Sequence, residues 1–192
     1  MKKPKYFKLT LKALVDEEGD EFSCYDFNVK DEDDLEWPWM HGVKLKDPPT
    51  GALQLAVNLD DEDAGDFADF TVSPIPMVTQ RFRNVLDAVG VTNVDYYPVT
   101  IDGADRFREF PTYFAANIVG KVAAADKSAS QYTEAFGGPG ATVFDELVLD
   151  PNFSTDLPIF ILAENMSIVI VSEKVKAKAE ALGVDTLRFI PL

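Results

Sequence analysis

The chain has 192 residues, of which 46% are hydrophobic, one is a cysteine and 33 are acidic, and its formal net charge is −15. A chain of this length and composition can bury one hydrophobic core, and a single cysteine excludes an internal disulfide. We therefore expect a cytoplasmic protein, since thiols stay reduced there, and no apolar run is long enough for a membrane-spanning helix.

The negative charge is confined to one block of the sequence. Residues 16–69 contain 18 Asp and Glu but only three Lys, so this block carries the entire net charge of −15 and the remainder is neutral. Such a field repels nucleic acid and anionic lipid and attracts basic proteins. We expect neither a nucleic-acid nor a membrane partner. A solvated, solubilising surface is the alternative interpretation.

The first third of the chain predicts strands separated by acidic loops. Apolar and polar residues alternate over residues 7–13 and 25–29, which predicts two strands paired as a hairpin. Leu53–Leu59 predicts a third strand, and residues 70–72 predict a short fourth one.

The remaining two thirds predict a mixture of strands and helices. The segment Ser73–Pro76 marks a boundary between an acidic all-β part, residues 1–72, and an α+β part, residues 73–192, within one compact domain. This second part contains the repeat described next and several further predicted elements. Residues 101–111 predict a hairpin-like loop, Tyr113–Val122 predicts one long strand, and Val143–Leu149 predicts a strand or a short helix. Two more strands are predicted at Pro158–Ala163 and Met166–Val171, joined by the two-residue turn Glu164-Asn165.

A 22-residue stretch occurs twice, as Val78–Val99 and as Val171–Leu192. Each copy predicts a helix followed by a strand, with helices over Gln80–Val89 and Glu173–Leu182. The matched start and stop residues are Thr79 and Ser172 as N-caps and Gly90 and Gly183 as left-handed helix ends. The fold class predicted is α+β, a strand-rich mixed sheet with two main helices in a repeated helix–Gly–strand unit.

The sequence contains no constellation that argues for catalysis. The only histidine, His41, is far in sequence from the only cysteine, Cys24, so a nucleophile–base pair and a zinc site are both disfavoured. The acidic stretch Leu59–Asp66 lacks the EF-hand ligands at positions 5 and 12, and no phosphate-binding loop is present. We expect no enzyme activity, no cofactor and no tightly bound metal. A weak cation site in the acidic loop, of a kind other than an EF-hand, is the alternative interpretation of that loop.

Acidic loops and an aromatic segment occur together in the first third, which is typical of an interaction surface. Charges at the rim of an interface steer encounter, whereas Trp and Met are enriched at its centre. Tryptophans that cap the β core are the alternative interpretation. The predicted partner-binding residues are Asp31, Asp33, Asp34, Trp37, Trp39, Met40, Asp60, Asp61 and Asp63.

Residues 73–192 resemble immunity protein family eleven of bacterial polymorphic toxin systems, long catalogued as a domain of unknown function. The resemblance lies in Thr79–Val99, in the strand Tyr113–Val119, in Ile159–Glu164 and above all in the closing segment Ile170–Leu192. It implies an intracellular protein that binds and neutralises a cognate toxin and has no activity of its own. It supplies no binding residues, because partner surfaces differ between members.

The leading hypothesis is therefore an immunity protein whose partner is a basic protein toxin. A metal-assisted hydrolase that uses the acidic loops is the first alternative, and a self-associating scaffold domain is the second. A homodimer is compatible with each of these hypotheses.

Overall fold

The computed structural model describes residues 5–12, 14–15, 21–22, 25–30, 38–59, 67–134, 138 and 140–192. These residues form an α+β fold with 14% helix and 40% strand, as the sequence predicts. The helices are α1 (Gln80–Val89) and α2 (Glu173–Ala181), and the strands are β1 (Tyr6–Leu11), β2 (Leu14–Val15), β3 (Glu21–Phe22), β4 (Tyr25–Val29), β5 (Leu53–Leu59), β6 (Phe70–Thr71), β7 (Met77–Thr79), β8 (Val94–Asp102), β9 (Tyr113–Ile118), β10 (Lys121–Val122), β11 (Gln131–Thr133), β12 (Val143–Glu146), β13 (Ile159–Leu162), β14 (Val169–Ser172) and β15 (Leu187–Pro191).

Most strands belong to two mixed sheets. One has six strands in the order β4-β5-β8-β9-β7-β6, and the other has five in the order β10-β13-β14-β1-β15. Residues 1–72 supply strands to both sheets, and the division of one compact domain into parts at residue 73 stays a prediction. No helix in the described part of the chain is long and apolar enough to cross a membrane.

The repeat predicted from the sequence is confirmed. The first helix covers the predicted residues, and the second ends one residue earlier than predicted. Gly90 and Gly183 both adopt left-handed conformations, with φ of 81° and 70°. The residue after each glycine donates its N–H to the carbonyl five residues before it, Val91 to Leu86 and Val184 to Ala179, both at 3.0 Å.

Each unit is completed by a strand from elsewhere in the chain. β9 lies between β7 and β8, and β1 lies between β14 and β15, antiparallel to its neighbours in both cases. The registers match, because Tyr113 pairs with Thr79 as Tyr6 pairs with Ser172. The middle strand follows the helix–strand unit in the first copy but precedes it in the second, so the two copies differ by a circular permutation.

A charged side chain packs over an aromatic ring at the same position of both copies. The Arg83 guanidinium lies 4.6 Å from the ring centroid of Tyr96 and 4.8 Å from that of Phe114. In the second copy, the ammonium of Lys176 lies 5.4 Å from the ring of Phe7. Such contacts cover the aromatic edge of the core while keeping the charge near water.

The two units share one hydrophobic core. Both sheets place one face on the packed helices, with Phe82 and Val175 fully buried between them. The remaining faces are covered separately, one by a cluster around Leu55 and Tyr113 and the other by a cluster around Phe160. Burying apolar surface stabilises a fold by about 25 cal/mol per Å², so this shared core makes the main contribution to the stability of the protein.

A buried carboxylate joins the two units. Asp69 is 1% exposed, and its side chain accepts hydrogen bonds from the Thr79 hydroxyl and, at 2.6 Å, from the Thr186 hydroxyl. Arg81 donates to the same carboxylate from Nε and, at 2.5 Å, from Nη2. Since Thr79 begins α1 and Thr186 precedes β15, one side chain holds the first unit against the second.

Some local predictions are wrong. β1 does not form a hairpin with β4, because it is inserted between β14 and β15, and β4 pairs with β5 instead. The strand predicted over Tyr113–Val122 is two strands in different sheets, β9 and β10, which separate at Gly120 with φ of 139°. The hydroxyl of Ser172 makes no capping bond, whereas that of Thr79 accepts from Phe82 N–H at 3.2 Å.

The predicted pairing of the last two strands before α2 is confirmed, but their connection is longer than two residues. β13 and β14 are antiparallel, with Ile161 opposite Val169. The chain between them turns through Asn165, whose backbone carbonyl accepts from Ile168 N–H at 3.0 Å. The segment Val143–Leu149, left open as strand or helix, begins with the strand β12, which pairs with β11 as a separate two-stranded ribbon.

Candidate partner-binding surface

The described residues include two of the nine predicted partner-binding residues, Trp39 and Met40. The seven others, Asp31, Asp33, Asp34, Trp37, Asp60, Asp61 and Asp63, lie outside the described residues, and their role stays a prediction.

Trp39 lies in the core. Its side chain is 4% exposed and packs edge-on against Tyr97, with ring centroids 5.7 Å apart. The predicted anchor role required an exposed ring, and Trp39 does not meet that condition. The alternative interpretation, a tryptophan that caps the β core, describes its position. Met40 is half-buried against the core shared by the two units.

The loop that carries Trp39 is fixed to the sheet beneath it. Asn117 Nδ2 donates to the Val43 carbonyl at 2.9 Å, and Gly120 N–H donates to the Gly42 carbonyl at 2.8 Å. Gly42 has φ of 70° and lies so close to Lys121 that an added Cβ would come within 2.7 Å of that side chain. Glycine is therefore required where this loop approaches the sheet.

The acidic segments are attached to opposite ends of one strand pair. Lys30, which precedes residues 31–37, donates its N–H to the Gln54 carbonyl, and Leu59, which precedes residues 60–66, pairs with Tyr25. Five residues of each strand separate these attachment points, or about 17 Å at the rise of an antiparallel strand.

A groove lies on the same sheet, between β8 and the loop that connects β8 to β9. Its volume is 380 Å³, within the size range of binding clefts in proteins. Half-buried apolar side chains form most of it, and Asp105 stands at its edge. The lining residues are Val99, Ile101, Ala104, Asp105, Phe110, Pro111, Thr112 and Tyr113.

The loop over this groove is held in place at both ends. Arg106 donates to the Val57 carbonyl at 2.7 Å and to the Gly103 carbonyl at 3.2 Å. Farther along, Phe110 packs against Phe67 at 4.6 Å and against Tyr113 at 5.9 Å between ring centroids. The groove is therefore a formed feature of the folded chain, since backbone and aromatic contacts fix its wall.

The acids near the groove differ in their pairing. Lys30 binds Asp102 at 2.6 Å, and this hydrogen bond, more than the charge itself, lowers the pKa of that exposed carboxyl group. The side chain of Asp105 is also exposed, but it forms no ion pair or hydrogen bond with any described residue. A second groove, of 420 Å³, adjoins the first and is lined by Asp102, Asp105 and Arg106 among others.

This groove was not predicted from the sequence. Residues 101–111 were predicted as a hairpin-like loop, and the antiparallel pairing of β8 with β9 confirms the hairpin. The available signal was the density of aromatic residues, with Phe107 and Phe110 in a loop that would otherwise be polar. Half-exposed aromatics in a connection indicate that it packs back onto the sheet.

Nothing in the described residues forms a metal centre, since no three His, Cys, Asp or Glu side chains lie close enough to hold an ion there.

Comparison with models of known protein families gives a match for this chain. The family described as Immunity protein family (Imm11) matches residues 53–192. No curated protein matches the chain. The matched region contains α1, α2 and the groove.

Proposed function

The chain belongs to the Imm11 immunity protein family, and from this premise we propose that it binds a cognate protein toxin and neutralises it. The observation that carries the proposal is the family match, which runs from β5 to the last residue and so includes both helix–strand units. An immunity protein acts by forming a stable complex, and the shared core provides a rigid support for such a surface.

The partner we propose is a basic protein. The chain has a net charge of −15, and the acids responsible lie in residues 16–69. Charge of this size raises the rate of encounter with an oppositely charged protein and disfavours neutral or acidic competitors. Affinity would come from the buried centre of the interface, because rim charges contribute mainly to the association rate.

We also propose that the protein has no catalytic activity and acts in the cytoplasm. The immunity family favours a binding role over an enzymatic one. A single cysteine is typical of a reducing compartment such as the cytoplasm. The chain would bind there a toxin that has entered the cell.

The test is protection in a cell that expresses the toxin. The toxin domain encoded beside this chain's gene is placed under an inducible promoter, with and without the chain on a second plasmid. We expect growth to be restored only when the chain is present, and the two proteins to copurify in a fixed ratio. The proposal fails if the chain neither copurifies with the toxin domain nor restores growth.

A further inference from the structure

The geometry points to a docking site for one basic side chain of the partner protein, in the groove between β8 and the loop 103–112. We propose that a lysine or arginine side chain enters there, with its methylene groups on the apolar floor and its charge at Asp105. This inference rests on the proposed function, because it names part of the surface that the toxin would contact.

The shape and polarity of the groove suit this occupant. Ile101 and Val99 form a half-buried floor along β8, and Phe110 and Pro111 form the facing wall. A long cationic side chain buries its aliphatic stem on such a surface and keeps its charged end in a polar position. The polar position here is Asp105, the one charged side chain among the described residues that line the groove.

The charge at this position is uncompensated. Asp102 is already bound by Lys30, and the guanidinium of Arg106 is directed to the carbonyls of Val57 and Gly103. Asp105 thus presents an exposed carboxylate that is paired with no described cation and lies beside apolar side chains. An incoming ammonium or guanidinium can pair with it while its methylene groups contact the apolar surface.

The groove requires no rearrangement to accept a side chain. Its wall is fixed by the bonds of Arg106 and by the packing of Phe110 on Phe67 and Tyr113. A preformed site loses little conformational entropy on binding, which favours its use as a specific contact.

The first experiment uses no toxin. The ¹⁵N-labelled chain is titrated with the peptide acetyl-Gly-Lys-Gly-amide and with the same peptide carrying norleucine in place of lysine. We expect the lysine peptide to shift the amide resonances of residues 99–113 in a saturable way, and the norleucine peptide to bind at least about fivefold more weakly. Asp105→Asn should remove the difference between the two peptides.

The matched control is Asp145→Asn. Asp145 is an exposed carboxylate on β12, and like Asp105 it makes no ion pair or hydrogen bond with the described residues. The control variant should bind the lysine peptide as the wild type does. Shifts spread evenly over exposed acids, or an unchanged preference for lysine in Asp105→Asn, would overturn the docking site.

The second experiment separates this inference from the proposed function. Affinity for the toxin domain is measured for the wild type, Asp105→Asn and Asp145→Asn by calorimetry. We expect a loss of about fivefold or more for Asp105→Asn alone. If the wild type and both variants bind the toxin domain with equal affinity, the docking site is overturned and the proposed function is not. A wild-type chain that binds no toxin overturns the proposed function, and the peptide titration then decides whether the groove accepts a basic side chain.

Discussion

Replacing Asp69 with asparagine should destabilise the chain by about 3 kcal/mol, because this side chain joins the two helix–strand units. The carboxylate is 1% exposed and accepts hydrogen bonds from Thr79 and Thr186. Turning two charge-assisted bonds into neutral ones costs about 1 kcal/mol each. Losing the ion pair with Arg81 adds at most about 1 kcal/mol, since that side chain is 46% exposed.

Urea unfolding at neutral pH measures this effect, with Asp185→Asn as the control. Asp185 also lies near Arg81, at 3.5 Å, but its side chain is 76% exposed. A free-energy loss of about 3 kcal/mol lowers the midpoint by about 1 M at unchanged slope, whereas the control should lose less than about 1 kcal/mol. If the two variants are equally stable, Asp69 does not hold the units together as described.

The other predictions concern the repeat, the loop that carries Trp39 and one tyrosine. Gly90→Ala and Gly183→Ala should each lower the free energy of unfolding in urea by about 1 kcal/mol, because φ is positive at both and an added Cβ meets nothing within 4 Å. Unequal losses would contradict the equivalence of the two units. Gly42→Ala should cost more than either, because its Cβ would come within 2.7 Å of Lys121; a smaller loss would show that the loop yields. Burial raises the pKa of Tyr96 to about 12, so its contribution to stability is complete below about pH 10 and is lost as the pH rises toward 12. An ultraviolet titration of the six tyrosines should lose a component near pH 12 in Tyr96→Phe, and an unchanged curve would refute the assignment.

The sequence predicted the parts of the fold that are specified locally. Each helix of the repeat has its start, apolar face and glycine stop within a few residues, so Gln80–Val89 was predicted to the residue. Strand partners are specified by distant segments, and the alternation in residues 7–13 contains no information on which strands flank β1. β1 and β9 occupy equivalent positions in the two units, and the sequence feature they share is a Tyr-Phe pair that begins at Tyr6 and at Tyr113.

The candidate site was less predictable than the fold. Whether a tryptophan caps a core or lies on the surface depends on what its loop packs against. The local sequence around Trp39 does not distinguish these two positions. The groove at Asp105 depends on the position of a loop wall, which Arg106 fixes through backbone carbonyls. Contacts to backbone carbonyls leave no pattern in the sequence, because any residue can supply them.

The central claim is that the acidic chain binds a basic toxin, and the association rate tests it most directly. The rate is measured with the toxin domain encoded beside the gene, for the wild type and for a variant in which Asp31, Asp33, Asp60, Asp61 and Asp63 are replaced by asparagine. Between ~0.1 M and ~1 M salt the Debye length falls from ~10 Å to ~3 Å, so the wild-type rate should fall steeply and the variant rate should start lower and fall less. A wild-type rate that is independent of salt and equal to that of the variant would contradict the claim.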